Sequence, residues 1–264
     1  MDAMTEKIIA TKDGAIGRLT FNQPERRNAI ALEMWKAIPR VLEDFVADET
    51  IRVVVLNGAG GKAFSAGADI SEFEEVRATE GAIADYNIHV DKAQKTLAGL
   101  AKPTIAEIQG MCVGGGMAVA LNCDLRIASD DSRFAITPAK LGLGYGIDGI
   151  QPLVALVGPS AAKEIFFTAR LFDADEALTM GLINRVVAAD DLGRYVGDYA
   201  GRMGENAPLV LQAVKTIVGE IAKDPDSRDL DLCQTVVDRC YASDDYAEGR
   251  KAFMEKRKPV FRGR

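Results

Sequence analysis

Residues Pro103 to Ser129 read PTIAEIQGMCVGGGMAVALNCDLRIAS, and this stretch decides the fold. Its pattern predicts a short buried strand at Thr104–Ile108, three glycines at 114–116, and a helix over 117–123 that is apolar almost all round. A second strand is predicted at 124–128. Glycine is costly in backbone entropy, so three in a row before a buried helix indicate a need for bare backbone. The unpaired N–H groups at a helix N-terminus suit a developing negative charge.

A second glycine-rich stretch, GAGGKAFSAGADI at 58–70, lies upstream. It follows a near-continuous apolar strand predicted at 51–56 and leads into a helix predicted to start at Asp69. The stretch lacks the GxxxxGK[ST] spacing of a phosphate-binding loop. Taken alone, each glycine run fits a tight turn with close helix packing. Together, two glycine-lined helix starts could aim two N–H donors at one oxygen, which is the arrangement of an oxyanion hole.

Strands and helices alternate through the rest of the chain. A hairpin is predicted over 8–21 and an amphipathic helix over 32–48. The order of elements favours an α/β fold with a core over 1–191 and a helical extension over 192–264. A GxGxxG match at 144–149 lacks a surrounding βαβ unit, so dinucleotide binding is not expected.

Composition narrows the class of protein. The chain has 264 residues, of which 48% are apolar, so it can bury a substantial core. A net charge of −7 argues against a nucleic-acid partner, and no apolar run reaches membrane-spanning length. The charged start lacks a secretory segment, so we expect a cytoplasmic protein with no membrane partner. Four cysteines without CxxC spacing and a single histidine, His89, indicate neither a metal site nor a disulfide framework.

Motifs spread over essentially the whole chain carry a family resemblance. They are NQPERRNAI at 22–30, FSAGADI at 64–70, KPTI at 102–105, GGG at 114–116, FFTA at 166–169, GLIN at 181–184 and FMEKRKP at 253–259. Their combination resembles the crotonase superfamily, the enoyl-CoA hydratase/isomerase family. The resemblance implies a crotonase-type spiral of ββα turns with a C-terminal helical trimerisation region over 192–264. It also implies a homotrimer or a dimer of trimers that acts on an acyl-CoA thioester, with coenzyme A as part of the substrate and no separate cofactor.

The same resemblance assigns roles to particular residues. The backbone N–H groups of Ala68 and Gly115 would form the oxyanion hole. Phe253 and Lys256 would reach the coenzyme A bound by a neighbouring subunit. The remaining residues expected to bind substrate are Arg26, Arg27, Ala29, Ala66, Asp69, Ile70, Gly114, Ala118, Pro138 and Ala139.

The chain departs from the family where a hydratase carries two glutamates for general acid–base catalysis. The first glutamate, two residues after the glycine run, is replaced by Ala118. The second falls on Pro138 when counted without gaps from Phe134, or on Ala139 with a shift of one. None of these side chains can transfer a proton. Ordinary hydration is therefore disfavoured, and glutamate-dependent isomerisation loses its base.

An oxyanion hole without a base can stabilise an enolate formed by loss of carbon dioxide, because decarboxylation removes no proton. Apolar residues such as Ala118 and Ala139 would strip water from the leaving carboxylate. The segments 134–145 and 244–259 resemble the methylmalonyl-CoA decarboxylase branch, in which a tyrosine at the position of Tyr145 orients the carboxylate. That branch carries histidine where this chain has Ala68. Decarboxylase-like chemistry is the leading hypothesis.

Two other hypotheses stay open. Asp148 is the remaining acid in the loop and could serve as the acid and base for hydration or isomerisation. Its alternative role is to cap a helix that starts at Gly149, and the two roles carry equal weight. The third hypothesis is a non-catalytic acyl-CoA-binding protein on the same scaffold. Loss of both glutamates favours it, and retention of both glycine stretches argues against it.

Overall fold

The computed structural model describes residues 5–72 and 79–264. Ten strands in this part of the chain form two sheets. The strands are β1 Ile8–Asp13, β2 Ile16–Phe21, β3 Val53–Gly58, β4 Ala63–Ser65, β5 Thr104–Ile108, β6 Met111–Val113, β7 Leu125–Ser129, β8 Arg133–Ala135, β9 Phe172–Asp173 and β10 Arg185–Val187. The α-helices are α1 Leu32–Ala47, α2 Glu80–Ala98, α3 Gly115–Leu121, α4 Ile147–Thr168, α5 Ala174–Thr179, α6 Leu192–Gly204, α7 Pro208–Ile221, α8 Leu230–Tyr241 and α9 Asp244–Glu255.

Successive strands of the chain alternate between the two sheets from β3 to β8. The larger has the order β1-β2-β3-β5-β7-β10 and is parallel except for the β1–β2 hairpin. The smaller has the order β4-β6-β8-β9, with β4, β6 and β8 parallel. Three times in succession the chain adds one strand to each sheet and then a helix: β3-β4-α2, β5-β6-α3 and β7-β8-α4. This repetition confirms the predicted spiral of ββα turns.

Burial on both faces explains why the central strands are apolar throughout. Val54, Leu56 and Ala106 face the main core, whereas Val53 and Ile105 face the opposite side of the larger sheet. Helix α6 covers that opposite side. Its contribution to the second core cluster is Leu192, Val196 and Ala200. By packing, α6 belongs with the sheets, although the boundary predicted at residue 191 grouped it with the helical extension.

Two helices have features that the local sequence pattern does not show. Helix α4 is interrupted at Gly158 (φ 74°, ψ 168°). Helix α2 buries Tyr86, Ala93 and Leu97. At the predicted helix start near Asp69 the described chain has only a 3₁₀ turn, Ile70–Glu72, and residues 73–78 lie outside the described part.

The four cysteines differ in burial: Cys233 and Cys240 are only partly buried. Cys112 and Cys123 are free and buried, and burial raises the pKa of both thiols, that of Cys123 to about 12. Within residues 5–72 and 79–264 no helix has both the length and the apolar character that a bilayer crossing requires. The same residues contain no group of three or more His, Cys, Asp or Glu placed to hold a metal ion.

Candidate active site

The two glycine-rich stretches pack against each other. A Cβ atom built on Gly67 would lie 3.1 Å from the Val113 carbonyl oxygen and 3.4 Å from the Gly115 nitrogen. A Cβ atom built on Gly115 would lie 3.3 Å from the Ala68 nitrogen. Neither the Ala68 nor the Gly115 N–H donates to an acceptor within the described residues. Two adjacent backbone donors are therefore available to one oxygen atom.

Hydrogen bonds on both sides of Ala68 fix its loop. The Ile30 N–H donates to the Gly67 carbonyl at 2.7 Å, and the Asp69 N–H donates to the Ile30 carbonyl at 3.1 Å. The Ala66 N–H donates to the Arg27 carbonyl at 2.9 Å. These bonds secure the neighbours of Ala68 and leave its own N–H group unused. The donor is thus held in place before any ligand arrives, as electrostatic stabilisation of an oxyanion requires.

The three glycines have separate tasks. Gly114 has φ 52° and ψ −114°, a backbone conformation that side chains disfavour. Gly116 packs so closely that a Cβ atom would lie 2.6 Å from the Ser65 carbonyl oxygen. Gly115 supplies the exposed N–H between them. Both explanations left open by the sequence therefore hold, because close packing and a bare amide occur together.

A buried cation fixes the far end of α3. The side chain of Arg126 is 3% exposed and donates to the carbonyls of Cys123 at 2.7 Å and Ala120 at 3.3 Å. It also donates to the Leu182 carbonyl at 2.7 Å. These carbonyls belong to the end of α3 and to a later turn at Leu182. Arg126 therefore ties the helix that carries Gly115 to that turn. No motif in the sequence indicates this role of Arg126.

A cavity of about 700 Å³ opens in front of the two amides. It brings together nine residues that the sequence analysis singled out. They are Ala66, Ala68, Ile70, Gly114, Gly115, Ala118, Pro138, Tyr145 and Asp148. Of the two alternatives counted from Phe134, Pro138 lines the cavity and Ala139 does not. Ala139 is exposed on the turn Pro138–Lys140.

Other residues singled out from the sequence lie away from the cavity wall. Arg27 is exposed, and Ala29 is buried in the core. Phe253 is 84% exposed on α9 and Lys256 follows that helix with φ 54°. Their contact with a neighbouring subunit, the trimer or dimer of trimers, and the cytoplasmic location all stay predictions.

Arg26 and Asp69 form an ion pair beside the loop that carries Ala68. The Arg26 guanidinium lies 3.0 Å from the Asp69 carboxylate, which also accepts hydrogen bonds from the Ser71 N–H and hydroxyl. Burial acts to raise the pKa of Asp69, but the hydrogen bonds from Ser71 and Arg26 outweigh it. The pKa of Asp69 therefore lies below its usual value. Asp69 braces the loop through its side chain, next to the free N–H of Ala68.

This lowered pKa gives a pH-dependent prediction. In the unfolded chain the carboxyl has a pKa of about 3.9, so the ion pair stabilises the fold above that pH. Its contribution is lost as pH falls through the lower pKa of the folded state. We expect Asp69→Asn to reduce the free energy of unfolding by about 1–2 kcal/mol at pH 7. Urea unfolding should show this difference constant from about pH 5 to 8 and shrinking below about pH 4. A difference independent of pH would contradict the assignment.

Asp148 lies in the first turn of α4, whose N-cap is Gly146. The alternative role as a cap for a helix starting at Gly149 is therefore wrong, because the helix begins two residues earlier. The Asp148 carboxylate lies 3.6 Å from the Lys95 ammonium group, and both side chains are mostly exposed. Asp148 thus lies at the exposed edge of the cavity, where its carboxylate pairs with Lys95 of α2.

One wall of the cavity contains no residue predicted from the sequence to belong to the site. It comes from α1 and α2 and includes Trp35, Tyr86 and Asp91. Within the described residues, Asp91 and Asp148 are the carboxylates that line the cavity. The signal was present in the helical spacing of Ile83, Tyr86, Asn87, Val90, Asp91 and Gln94, which share one face of α2.

Known proteins are similar to this chain over nearly its whole length. A sequence profile described as Enoyl-CoA hydratase/isomerase matches residues 11–264. The chain belongs to the enoyl-CoA hydratase/isomerase family. Its crotonase-type fold also recurs in an enoyl-CoA hydratase/carnithine racemase from Magnetospirillum magneticum, with a TM-score of 0.92 and 37% identity. That match covers 98% of this chain and 97% of the other.

Sequence relatives within this family carry names of enoyl-CoA chemistry. The short-chain-enoyl-CoA hydratase of Clostridium acetobutylicum is 35% identical, with 95% of each chain covered. The carnitinyl-CoA dehydratase of Escherichia coli O157:H7 is 32% identical over 99% of this chain and 100% of its own. The protein is thus an acyl-CoA enzyme of the enoyl-CoA hydratase/isomerase family.

Proposed function

We propose that this family member stabilises a thioester enolate that forms by decarboxylation of a methylmalonyl-CoA-type substrate. The observation that carries the proposal is the wall beside the paired amides. Ala118 and Pro138 both line the cavity, and they stand where the resemblance places the two glutamates of a hydratase when the second is counted without gaps. Among the described lining residues there is no glutamate. The amides of Ala68 and Gly115 can hold an enolate oxygen, but no group beside them can act as the usual base.

Each step of a decarboxylation can occur in this cavity without a base. The bond between C2 and the carboxylate carbon breaks, and its electron pair moves into the thioester to give an enolate. The N–H groups of Ala68 and Gly115 donate to the enolate oxygen as its charge grows. Apolar Ala118 and Pro138 disfavour the charged ground-state carboxylate by excluding water. Carbon dioxide leaves, and C2 takes a proton that derives from solvent.

Tyr145 is proposed to orient the departing carboxylate. It lines the cavity, and its ring packs edge-on against Phe166 with 5.5 Å between centroids. This contact limits the freedom of the ring and so of its hydroxyl. A carboxylate held perpendicular to the thioester plane loses carbon dioxide most readily, because the breaking bond then overlaps the carbonyl. Positioning of this kind can lower the barrier without any proton transfer.

Hydration or isomerisation by Asp148 is the second candidate function. Two observations favour it: Asp148 lines the cavity, and relatives are named as hydratases. Its exposure and its pairing with Lys95 argue against it, because a general base works best near the reacting carbon and free of a competing cation. The third hypothesis, a member of this enzyme family that only binds acyl-CoA, is disfavoured because relatives are named as enzymes.

A paired assay separates these candidates. Purified protein is given crotonyl-CoA in one arm, and methylmalonyl-CoA and malonyl-CoA in the other. We expect carbon dioxide release without hydration. We expect Tyr145→Phe to lower decarboxylation about tenfold to hundredfold with little change in coenzyme A binding, since it removes one hydrogen bond to a charged group. Tyr241→Phe, on the exposed side of α8, is the matched control.

The other outcomes each contradict the proposal in a different way. Hydration at enzymatic rates that is lost in Asp148→Asn would establish the second candidate. If neither arm shows a reaction and the protein still binds coenzyme A, the non-catalytic acyl-CoA-binding protein is favoured. Full decarboxylation by Tyr145→Phe would remove the role given to that hydroxyl.

A further inference from the structure

We propose that a second cavity, formed where β3 and β5 begin, binds the phosphate chain of a nucleoside diphosphate or triphosphate. The cavity has a volume of about 600 Å³. Among the described residues, it shares no lining residue with the cavity in front of Ala68 and Gly115. Its walls come from the segments before β3 and β5, from α7 and α8, and from residues 262–264. The second cavity is therefore separate from the candidate active site, and its ligand does not depend on which reaction takes place there.

Positive charge dominates the wall of the second cavity. Five lysine and arginine side chains line it, and Glu49 is the one acidic side chain among the described lining residues. The five cations are Arg52, Lys102, Arg239, Arg262 and Arg264. Since the whole chain has a net charge of −7, this concentration of positive charge is local. A cavity lined by one sign of charge attracts ligands of the opposite sign, so the ligand is expected to be an anion.

The cations of this wall are held without being neutralised. None of the four arginines forms an ion pair within the described residues. The Arg52 guanidinium donates to the main-chain carbonyl of Phe261 at 3.3 Å. The Lys102 ammonium group donates to the main-chain carbonyls of Phe45 at 2.5 Å and Asp48 at 2.7 Å. Because a peptide carbonyl carries no net charge, it fixes the position of a cation and leaves its charge available to a ligand.

Hydrogen bonds to α9 hold the segment that completes the cationic wall. The Asp245 carboxylate is 3% exposed and accepts the N–H groups of Arg262 at 2.6 Å and Gly263 at 2.8 Å. The Glu248 carboxylate accepts the Val260 N–H at 2.9 Å. These bonds involve main-chain donors, so they order the segment without using the Arg262 guanidinium. A wall that is ordered in advance loses less conformational entropy when a ligand binds.

The remaining lining residues favour a nucleotide over a small inorganic anion. They include the apolar side chains of Ile51, Pro103, Leu209 and Leu211. Inorganic phosphate would leave this apolar surface in water, whereas the base of a nucleotide can cover it. Small-molecule sites have volumes of about 300–1,000 Å³, and the second cavity falls within that range. Arginine binds phosphate through two parallel N–H groups, so several arginines around one cavity suit a chain of two or more phosphates.

Calorimetric titration of the full chain tests the site, with ADP, ATP, AMP and inorganic pyrophosphate as probes. The variants are Arg239→Gln, Arg262→Gln and the double variant, all at exposed positions where the fold should be kept. Arg185→Gln, at an exposed position on β10, is the matched control. Arg26→Gln reports any nucleotide that binds instead at the expected coenzyme A site, since Arg26 lies beside the loop of Ala68.

We expect ADP and ATP to bind the wild type more tightly than AMP or pyrophosphate, because the phosphate chain and the base both contribute. Each single variant should weaken ADP binding about threefold to tenfold, and the double variant about tenfold to hundredfold, through loss of charge-assisted hydrogen bonds. Arg185→Gln and Arg26→Gln should keep the wild-type affinity within about twofold. Added salt should weaken binding in the wild type, because part of the attraction is between charges.

Four results would overturn the proposal. The first is a wild type that binds neither ADP nor ATP. The second is a loss of ADP affinity in Arg26→Gln but not in the double variant, which would place the nucleotide at the coenzyme A site. The third is pyrophosphate binding as tight as that of ADP, which would show an anion site without nucleotide recognition. The fourth is an equal loss in Arg185→Gln, which would show a general effect of charge.

Discussion

Gly115→Ala should reduce turnover about 10²- to 10³-fold, the loss associated with removing one oxyanion donor. The added methyl group would lie 3.3 Å from the Ala68 nitrogen and 3.4 Å from the Trp35 ring. It would therefore occupy the space where the two N–H groups converge. The backbone of Gly115 has no positive φ, so alanine fits its conformation and the protein should fold. Steady-state kinetics with the substrate identified by the paired assay provide the measurement.

Gly197→Ala is the matched control for this substitution. Gly197 lies in α6, where an added Cβ atom meets nothing within 4 Å. Replacing a helical glycine with alanine there should raise stability by about 0.4–1 kcal/mol and leave turnover unchanged. Full activity in folded Gly115→Ala would show that the oxygen of the thioester does not bind between these amides.

Asn28→Asp should be among the most destabilising single substitutions in the chain. Asn28 is fully buried, and its Nδ2 donates to the carbonyls of Ala59 at 2.9 Å and Ala63 at 2.7 Å. Its Oδ1 accepts from the Gln23 N–H at 2.9 Å. Aspartate has the same shape, but it loses both donors and sets a charge against two carbonyl oxygens. We expect a loss of about 3 kcal/mol or more in the free energy of unfolding at pH 7.

Urea unfolding of Asn28→Asp and of Asn22→Asp separates this network from a general effect of charge. The Asn22 side chain donates to the Glu6 carbonyl in an exposed contact, so Asn22→Asp should cost less than about 1 kcal/mol. The deficit of Asn28→Asp relative to the wild type should shrink in acid, because a protonated carboxyl can donate one hydrogen bond. Equal losses at positions 22 and 28 would contradict this account.

The sequence predicted those parts of the fold that depend on local pattern. The apolar run before Asn57 and the strand at Thr104–Ile108 form as expected, because strands buried on both faces need continuous apolar residues. The glycines around Gly115 and Ala68 indicated a pair of bare amides, and the structure brings the two together. In these stretches the local sequence is sufficient to predict the structure.

Parts of the site that depend on tertiary packing were not predictable in this way. Trp35 and Tyr86 lie about fifty residues apart, on different helices, and they meet only because α1 and α2 pack together. The cap role considered for Asp148 presumed a helix start at Gly149, because the glycine-rich surroundings hid the true start of α4. The choice between Pro138 and Ala139 depended on a shift of one residue, which pattern alone cannot settle.

The two N–H groups proposed to hold the thioester oxygen are main-chain amides, so no alanine substitution can delete either of them. Position 68 is already alanine, and a change at position 115 adds bulk without deleting the N–H group. Removal of a donor alone requires replacing an amide with an ester through chemical synthesis. Natural mutations are limited in the same way, because they change side chains and leave the main-chain N–H groups in place. Side-chain changes around the cavity can therefore alter the reaction while the binding site for the thioester oxygen is retained.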